Sequence, residues 1–194
     1  MLQFPKQVYL ASKSPRRRKL LKQIGLKFKS FSVDLDERFF ENESPTKTVK
    51  RLADEKLKAA TELKEEGIFI TADTIVVVEN KIIGKPKNKK DAVRLLKMLS
   101  GKKHTVYTGI AVAEKPGTLK IVDCVKTDVY FRDLNEKEIK DYVNGGSPMD
   151  KAGAYGIQDD FGAVFIKKIN GCYYNVVGLP LEKLYSILQE FSRC

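Results

Sequence analysis

Three consecutive arginines, Arg16, Arg17 and Arg18, follow Ser12, Ser14 and Pro15 at a point where the chain has every signal for starting a helix. The N-terminal end of a helix is the positive end of its dipole, so each cation placed there costs about 0.3 to 1 kcal/mol unless an anion is close by. The backbone N–H groups of such a terminus already favour phosphate, and Ser12, Ser14, Arg16 and Arg17 would complete a polyphosphate-binding loop. The competing reading is a solvated basic turn.

Two further residues are out of place for their surroundings. On a helical wheel Lys56 falls within about 20° of Val49, among Leu52, Ala53, Ala60 and Leu63, whereas Lys50, Lys58 and Lys64 lie to the sides or back of that stripe. An ammonium on an apolar face has to be paired or has to snorkel to the surface. Asp73 interrupts the apolar run IFITADTIVVV, where a carboxylate is costly unless it meets a cation, a metal or a hydrogen-bond donor. It could ligate a divalent metal or take a proton from an attacking water, with Lys56 as the ammonium facing it; the alternative is a carboxylate bonded to backbone at a strand end. Asp34, Asp36 and Glu37 form an acidic cluster of a kind that suits Mg²⁺ or Mn²⁺, although Asp34 itself reads as a surface loop residue. Lys85, between Gly84 and Pro86, and Lys151, before Ala152 and Gly153, stand where small neighbours would let a phosphate approach.

The elements that must hold these residues are legible from caps and periodicity. A short strand at Val8 to Ala11 leads through Ser-Lys-Ser-Pro into a helix from Arg16 to Ile24, with Ser14 as N-cap, Pro15 in its first turn and Gly25 at its end. Phe28 to Val33 is strand-like. A second helix lies between Ser44-Pro45-Thr46 and Gly67, and a β-branched buried strand follows. Glu79-Asn80 turns into a strand at Lys81 to Ile83, a helix runs from about Lys90 to Leu99, and two long strands flank Lys115-Pro116-Gly117. A helix from about Glu136 to Val143 stops at Gly145-Gly146. Phe161 to Ile169 and Cys172 to Val177 read as a hairpin across Asn170-Gly171, and a last helix covers about Leu181 to Phe191. This order predicts an α/β fold, a mixed sheet covered by helices.

The whole chain adds bounds. At 194 residues, with 42% hydrophobic and 31% charged residues, it has the composition of a soluble globular protein and the length of one domain, 1–194, with room for two lobes. Its 36 Lys and Arg against 25 Asp and Glu give a formal charge of +11, which suits a polyanionic partner without separating nucleotide from nucleic acid. No apolar leader or membrane-spanning run is present, so a cytoplasmic protein is expected. Cys124, Cys172 and Cys194 are too dispersed for a zinc knuckle or redox dithiol and read as reduced thiols. His104, the single histidine, reads as a structural residue in a loop leading into a strand. There is no P-loop, no Rossmann glycine fingerprint and no interleaved basic and aromatic pattern of the RNA-recognition kind.

The segments LASKSPRRRKLL, ADTIVV, GKPKN, LSGKKHTVYTG, PMDKAGAYGIQ and KINGCYYNVVGLPL together resemble the Maf nucleotide pyrophosphatases in order and spacing, from about Tyr9 to Leu181. The resemblance implies an elongated mixed β-sheet flanked by helices, Maf/ITPase-like, with two lobes and a central cleft. It implies hydrolysis of a nucleoside triphosphate between the α and β phosphates, a divalent cation (Mg²⁺ or Mn²⁺) held by Glu37 and Asp73, and a homodimer with no stable nucleic-acid complex. By motif, Asp73 corresponds to the general base, with Lys56 and Glu37 beside it as catalytic residues. Ser12, Arg16, Arg17, Thr74, Lys85, Lys151 and Gln158 correspond to substrate-binding positions, of which Arg16, Thr74 and Gln158 are associated with substrate choice. Ala-Asp-Thr with Ala-Gly-Ala-Tyr-Gly-Ile-Gln resembles the branch acting on dTTP and UTP. Alternatives are the same reaction on 7-methyl-GTP or modified nucleotides, and a non-catalytic regulator linked to septum formation. Asp159 and Asp160 replace the glycine usual after Gln158, which bears on substrate preference.

Overall fold

The computed structural model describes residues 2–158 and 161–192; Asp159, Asp160 and Cys194 lie outside the described residues. Strands β1 (Val8–Ala11), β2 (Lys29–Phe31), β3 (Gly67–Val78), β4 (Lys81–Ile83), β5 (Lys103–Lys115), β6 (Lys120–Phe131) and β7 (Ile166–Asn170) form one sheet in the order β2-β1-β3-β5-β6-β7, with β4 on β3. The sheet is mixed: β1 pairs in parallel with β2 and β3, whereas β3–β4 and β6–β7 are antiparallel. The helices are α1 (Pro15–Gln23), α2 (Pro45–Glu62), α3 (Lys89–Leu99), α4 (Glu136–Asn144), α5 (Tyr173–Val177) and α6 (Leu181–Phe191). The predicted α/β class with a mixed sheet is therefore what forms.

The chain divides into two compact units. The first comprises Met1–Asp73, Thr108–Val125 and Gly178–Cys194. Its helices begin as the sequence dictates: Ser14 and Ser44 each accept the backbone N–H of the residue three further on, with Pro15 and Pro45 behind them. The apolar stripe of α2 packs Ala53, Leu57 and Ala60 against Ala11 of β1, Phe69 of β3 and Ala111 and Ala113 of β5. Small residues on both faces bring α2 very close to the sheet. A Cβ at Gly109 would collide with the Val49 carbonyl oxygen, so glycine is required there. Leu63, placed on the stripe by periodicity, is 58% exposed because α2 ends at Glu62 and Leu63 is its C-cap.

The second unit comprises Thr74–Tyr107 and Lys126–Val177. Leu95, Leu96 and Leu99 of α3, Ile139 and Val143 of α4, and Val76, Val106, Val129 and Phe131 of the strands fill its core. The expected hairpin across Asn170-Gly171 is absent. Phe161–Phe165 is a 3-10 turn, β7 pairs with β6, and Tyr173–Val177 is helical. The cause is a buried polar anchor. Thr127 Oγ1 donates to the Cys172 carbonyl and accepts from the Cys172 N–H (3.0 Å), while Asn175 Nδ2 donates to Thr127 Oγ1 (2.9 Å) and to the Val106 carbonyl (3.0 Å). Pairing the buried Asn175 NH2 group outweighs the β preference of Tyr-Tyr-Asn-Val-Val. His104 is likewise not in a loop: it is the second residue of β5 and 1% exposed.

Candidate active site

In the first unit the β1–α1 turn, the centre of α2, the end of the first half of β3 and the segment after β2 bring together Ser12, Arg17, Glu37, Lys56 and Asp73. The ammonium of Lys56 bonds the Asp73 Oδ1 and lies 2.7 Å from Glu37 Oε1. Asp73 is buried among apolar strand residues, its side chain 7% exposed, and Lys56 is 15% exposed. Lys56 therefore neither snorkels nor stands alone: two carboxylates from different segments neutralise it, as a desolvated ammonium requires. Of the acidic cluster Glu37 meets Lys56, with its side chain still 36% exposed. Asp34 pairs with Lys13 (3.0 Å) and Asp36 with Arg38 (3.2 Å), all four exposed.

Arg17 is turned into the same region, where its pKa is lowered by burial while Asp73 and Glu37 act to raise it and Arg16 to lower it. Arg17 is therefore within electrostatic reach of Asp73, Glu37 and Arg16. The Arg17 guanidinium is also tied to backbone: Nε donates to the Gly178 carbonyl (2.8 Å), and Nη1 to the Ala72 carbonyl (2.7 Å) and Ser12 Oγ (3.3 Å). Ser12, 8% exposed, accepts in addition from the Ser14 N–H (3.2 Å), which tightens the turn into α1. The sequence pointed to Ser12 and Arg17 as anion ligands. It gave no sign that Arg17 grips the strand one residue before Asp73, since a carbonyl acceptor leaves no trace in residue types.

Arg16, the second residue of α1 and half-buried, also belongs to the first unit, and the other expected residues belong to the second. Thr74 follows Asp73 on β3 and is half-buried; Lys85 is exposed. Lys151 Nζ lies 3.1 Å from Asp150 Oδ1, with its side chain 12% exposed. The segments bearing these two lysines are joined, because the Gly153 N–H donates to the Gly84 carbonyl (3.1 Å). Gly153 has φ +73° and Ala154 φ +60°, and a Cβ at Gly153 would press on Val76 at 3.2 Å. That left-handed pair turns Tyr155 inward, where its hydroxyl meets His104 Nε2 at 2.8 Å. Gln158 ends this loop with its Oε1 buried and without a hydrogen-bond partner among the described residues.

Among the described residues no three His, Cys, Asp or Glu side chains gather as a metal site. Glu37 and Asp73 nonetheless share one cation, the Lys56 ammonium, so their oxygens converge on a common charge. Two carboxylates suit Mg²⁺ or Mn²⁺, hard cations that keep waters and fill their shell from substrate phosphates.

A mixed sheet with helices, carrying the inward carboxylate of Asp73 on the Lys56 ammonium, defines the chain as an α/β protein. Its fold matches the structure of the Staphylococcus aureus Ham1 protein, with TM-score 0.55 and 16% identity over 95% of this chain and 99% of that one. Residues 7–191 match the Maf-like protein family, and the chain belongs to that family. It is 46% identical to the dTTP/UTP pyrophosphatase of Syntrophomonas wolfei subsp. wolfei, over 92% of this chain and 94% of the relative. With that of Dictyoglomus thermophilum it shares 48% identity over 96% and 97%. Among the described residues no helix is long and apolar enough to cross a membrane.

Proposed function

We propose that this Maf-family chain is a nucleotide pyrophosphatase that hydrolyses dTTP and UTP to the nucleoside monophosphate and pyrophosphate, with Asp73 as general base and a divalent cation as cofactor. The observation that supports it best is the buried Asp73 carboxylate held by Lys56 beside Glu37 and Arg17. The names of the relatives supply the substrate pair.

Water attacks a phosphorus of the α–β anhydride, its proton passes to the Asp73 carboxylate, and the P–O bond breaks with its electron pair leaving on the departing phosphate group. Lys56 orients that carboxylate and, with Arg16 and Arg17, offsets charge growing on the phosphoryl oxygens, a stabilisation that is largest where water is excluded. A divalent cation held by Glu37 and Asp73 would polarise the attacking water and screen the triphosphate. Thr74, Lys85, Lys151 and Gln158 are the proposed substrate ligands of the second unit. The Gln158 Oε1, without a hydrogen-bond partner among the described residues, is an acceptor of the kind that the imide N–H of thymine and uracil would fill. The enzyme is proposed to act in the cytoplasm as a homodimer.

The test is pyrophosphate release from dTTP, UTP, CTP and 7-methyl-GTP, each with and without Mg²⁺ or Mn²⁺. The expected result is cation-dependent release with the highest kcat/KM for dTTP and UTP, and its reduction by about 100-fold to 10,000-fold in Asp73→Asn. Preferred turnover of 7-methyl-GTP would overturn the substrate assignment, an undiminished Asp73→Asn rate the role of Asp73, and salt-sensitive DNA binding without pyrophosphate release the enzymatic reading altogether.

A further inference from the structure

Between β2 and α2 the chain runs from Ser32 to Ser44 without helix or strand, and most of it is exposed, Phe39 and Phe40 by 46% and 54%. Such a stretch is expected to fluctuate, yet it delivers Glu37 to the Lys56 ammonium at 2.7 Å. Something has to offset the entropy of ordering it.

One side chain accounts for it. Arg51, on the second turn of α2, donates Nη2 to the Arg38 carbonyl (2.8 Å) and to Glu43 Oε2 (2.7 Å), and Nε to Glu43 Oε1 (2.9 Å). Its Nη1 donates to Glu55 Oε1 (3.1 Å), one turn along the same helix, and its guanidinium carbon lies 4.5 Å from the centre of the Phe40 ring. Arg51 and Glu43 are 21% and 15% exposed, so the bidentate pair is largely withdrawn from water. The hydrogen bond to Arg51 holds Glu43 below the usual carboxylate range, and the same bond raises Arg51. The Glu43 N–H in turn donates to the Phe40 carbonyl at 3.1 Å, closing residues 40–43 into a turn. Arg51 thus touches the segment at Arg38, Phe40 and Glu43, all within six residues of Glu37, while anchored to a rigid helix by Glu55.

We propose that Arg51 is a positioning residue of the reaction: by clasping residues 38–43 to α2 it keeps Glu37 on Lys56 and so fixes the pair that holds Asp73. This rests on the reading of Glu37, Lys56 and Asp73 as catalytic. Lysine cannot replace it, because one ammonium cannot span a carboxylate in two-point fashion and a carbonyl as well as stack on Phe40.

The test uses the full chain with Arg51→Met, Arg51→Lys, Glu37→Gln and the double variant Arg51→Met/Glu37→Gln. Hydrogen exchange followed by mass spectrometry is read on peptides covering residues 32–44, alongside kcat and KM for dTTP. In Arg51→Met, exchange in that segment rises at least about tenfold while peptides of β3 and β5 keep their protection, and kcat/KM falls by about 10-fold to 100-fold, the range for losing charge-assisted hydrogen bonds. Arg51→Lys falls between the wild type and Arg51→Met. In the Glu37→Gln background Arg51→Met costs little more, since both changes remove the same contact. Unchanged exchange in residues 32–44 would overturn the clasp. A full additional loss on top of Glu37→Gln would overturn the action through Glu37. If Glu37→Gln retains full activity, the catalytic reading of Glu37 fails, and the exchange result still decides whether Arg51 orders the segment.

Discussion

Removing the ammonium of Lys56 should harm the fold more than removing the carboxylate it serves. In Lys56→Met the Asp73 carboxylate, 7% exposed, loses the ammonium that compensates its burial, and Glu37 loses the same contact. Breaking a buried pair from one side costs about 3 to 5 kcal/mol, because the surviving charge remains desolvated. In a chain of this length that lowers the melting temperature by roughly 6 to 20 °C, at about 2 to 4 °C per kcal/mol. Asp73→Asn is milder, about 1 to 3 kcal/mol, since Lys56 retains Glu37 and the amide can still accept its hydrogen bond. In the double variant Lys56→Met/Asp73→Asn no buried charge is stranded at Asp73, so the losses do not add. Two unit charges about 4 Å apart interact by about 4 kcal/mol at an effective dielectric of 20, and Glu37 takes up part of that, so a coupling of roughly 2 to 3 kcal/mol is expected. Equilibrium urea denaturation of the four proteins, following the transition of the first unit, measures it directly. A coupling below about 0.5 kcal/mol would show the pair to behave like a solvated surface ion pair and would refute the argument from burial. Turnover of the same proteins separates the two roles of Asp73: strong coupling with an intact Asp73→Asn rate would leave the pair structural and not catalytic.

Three other outcomes are expected. Arg17→Met should destabilise the first unit by about 2 to 4 kcal/mol in urea, because the Ala72 and Gly178 carbonyls each lose a charged donor, and kcat should fall as Asp73 loses its support. His104, its pKa pushed down to about 4 by burial, is neutral when folded and unfolds to a histidine near 6.5. Its contribution is therefore complete above about pH 6.5 and disappears as pH falls to about 4, a loss of roughly 3 kcal/mol that His104→Gln should remove from the pH dependence of unfolding. Gly109→Ala should cost about 1 to 3 kcal/mol or misfold, since its methyl would meet the Val49 carbonyl; a melting temperature equal to that of the wild type would contradict the close approach of α2 and β5.

Local rules made most of the elements legible. Ser14-Pro15 and Ser44-Pro45 mark helix starts by supplying oxygens to N–H groups that the helix cannot satisfy, and each caps the helix beginning there. Asn170-Gly171 shows where such reasoning ends. The dipeptide does turn the chain, but whether strand or helix follows is decided by Thr127, more than 40 residues earlier, which engages Cys172 and Asn175 from β6. Nothing in the local sequence encodes that distance. The same boundary separates Leu63, misplaced by extending a periodic stripe past a helix end, from Lys56, whose position in the interior of the stripe was enough.

The candidate site obeys the same division, for a physical reason. Lys56 and Asp73 were detectable because each contradicts its own element: a charge on an apolar helix face and a charge within an apolar strand both demand a partner, and the cheapest partner for either is the other. Arg51 contradicts nothing locally, and Arg17 stands out only as a cation at a helix start, not as a residue that grips backbone. Arg51 looks like an ordinary helix-surface cation with Glu55 four residues on, and Arg17 like one of three basic residues opening a helix. Their work is done on carbonyls of Arg38, Ala72 and Gly178, acceptors that every residue possesses. Buried charges such as Lys56 and Asp73 are thus visible through the unfavourable environment they create, whereas contacts to backbone carbonyls become visible only in three dimensions. It follows that Arg51 and Arg17 cannot be replaced by lysine even where the charge is kept, because what the backbone requires of them is the fixed fork of the guanidinium.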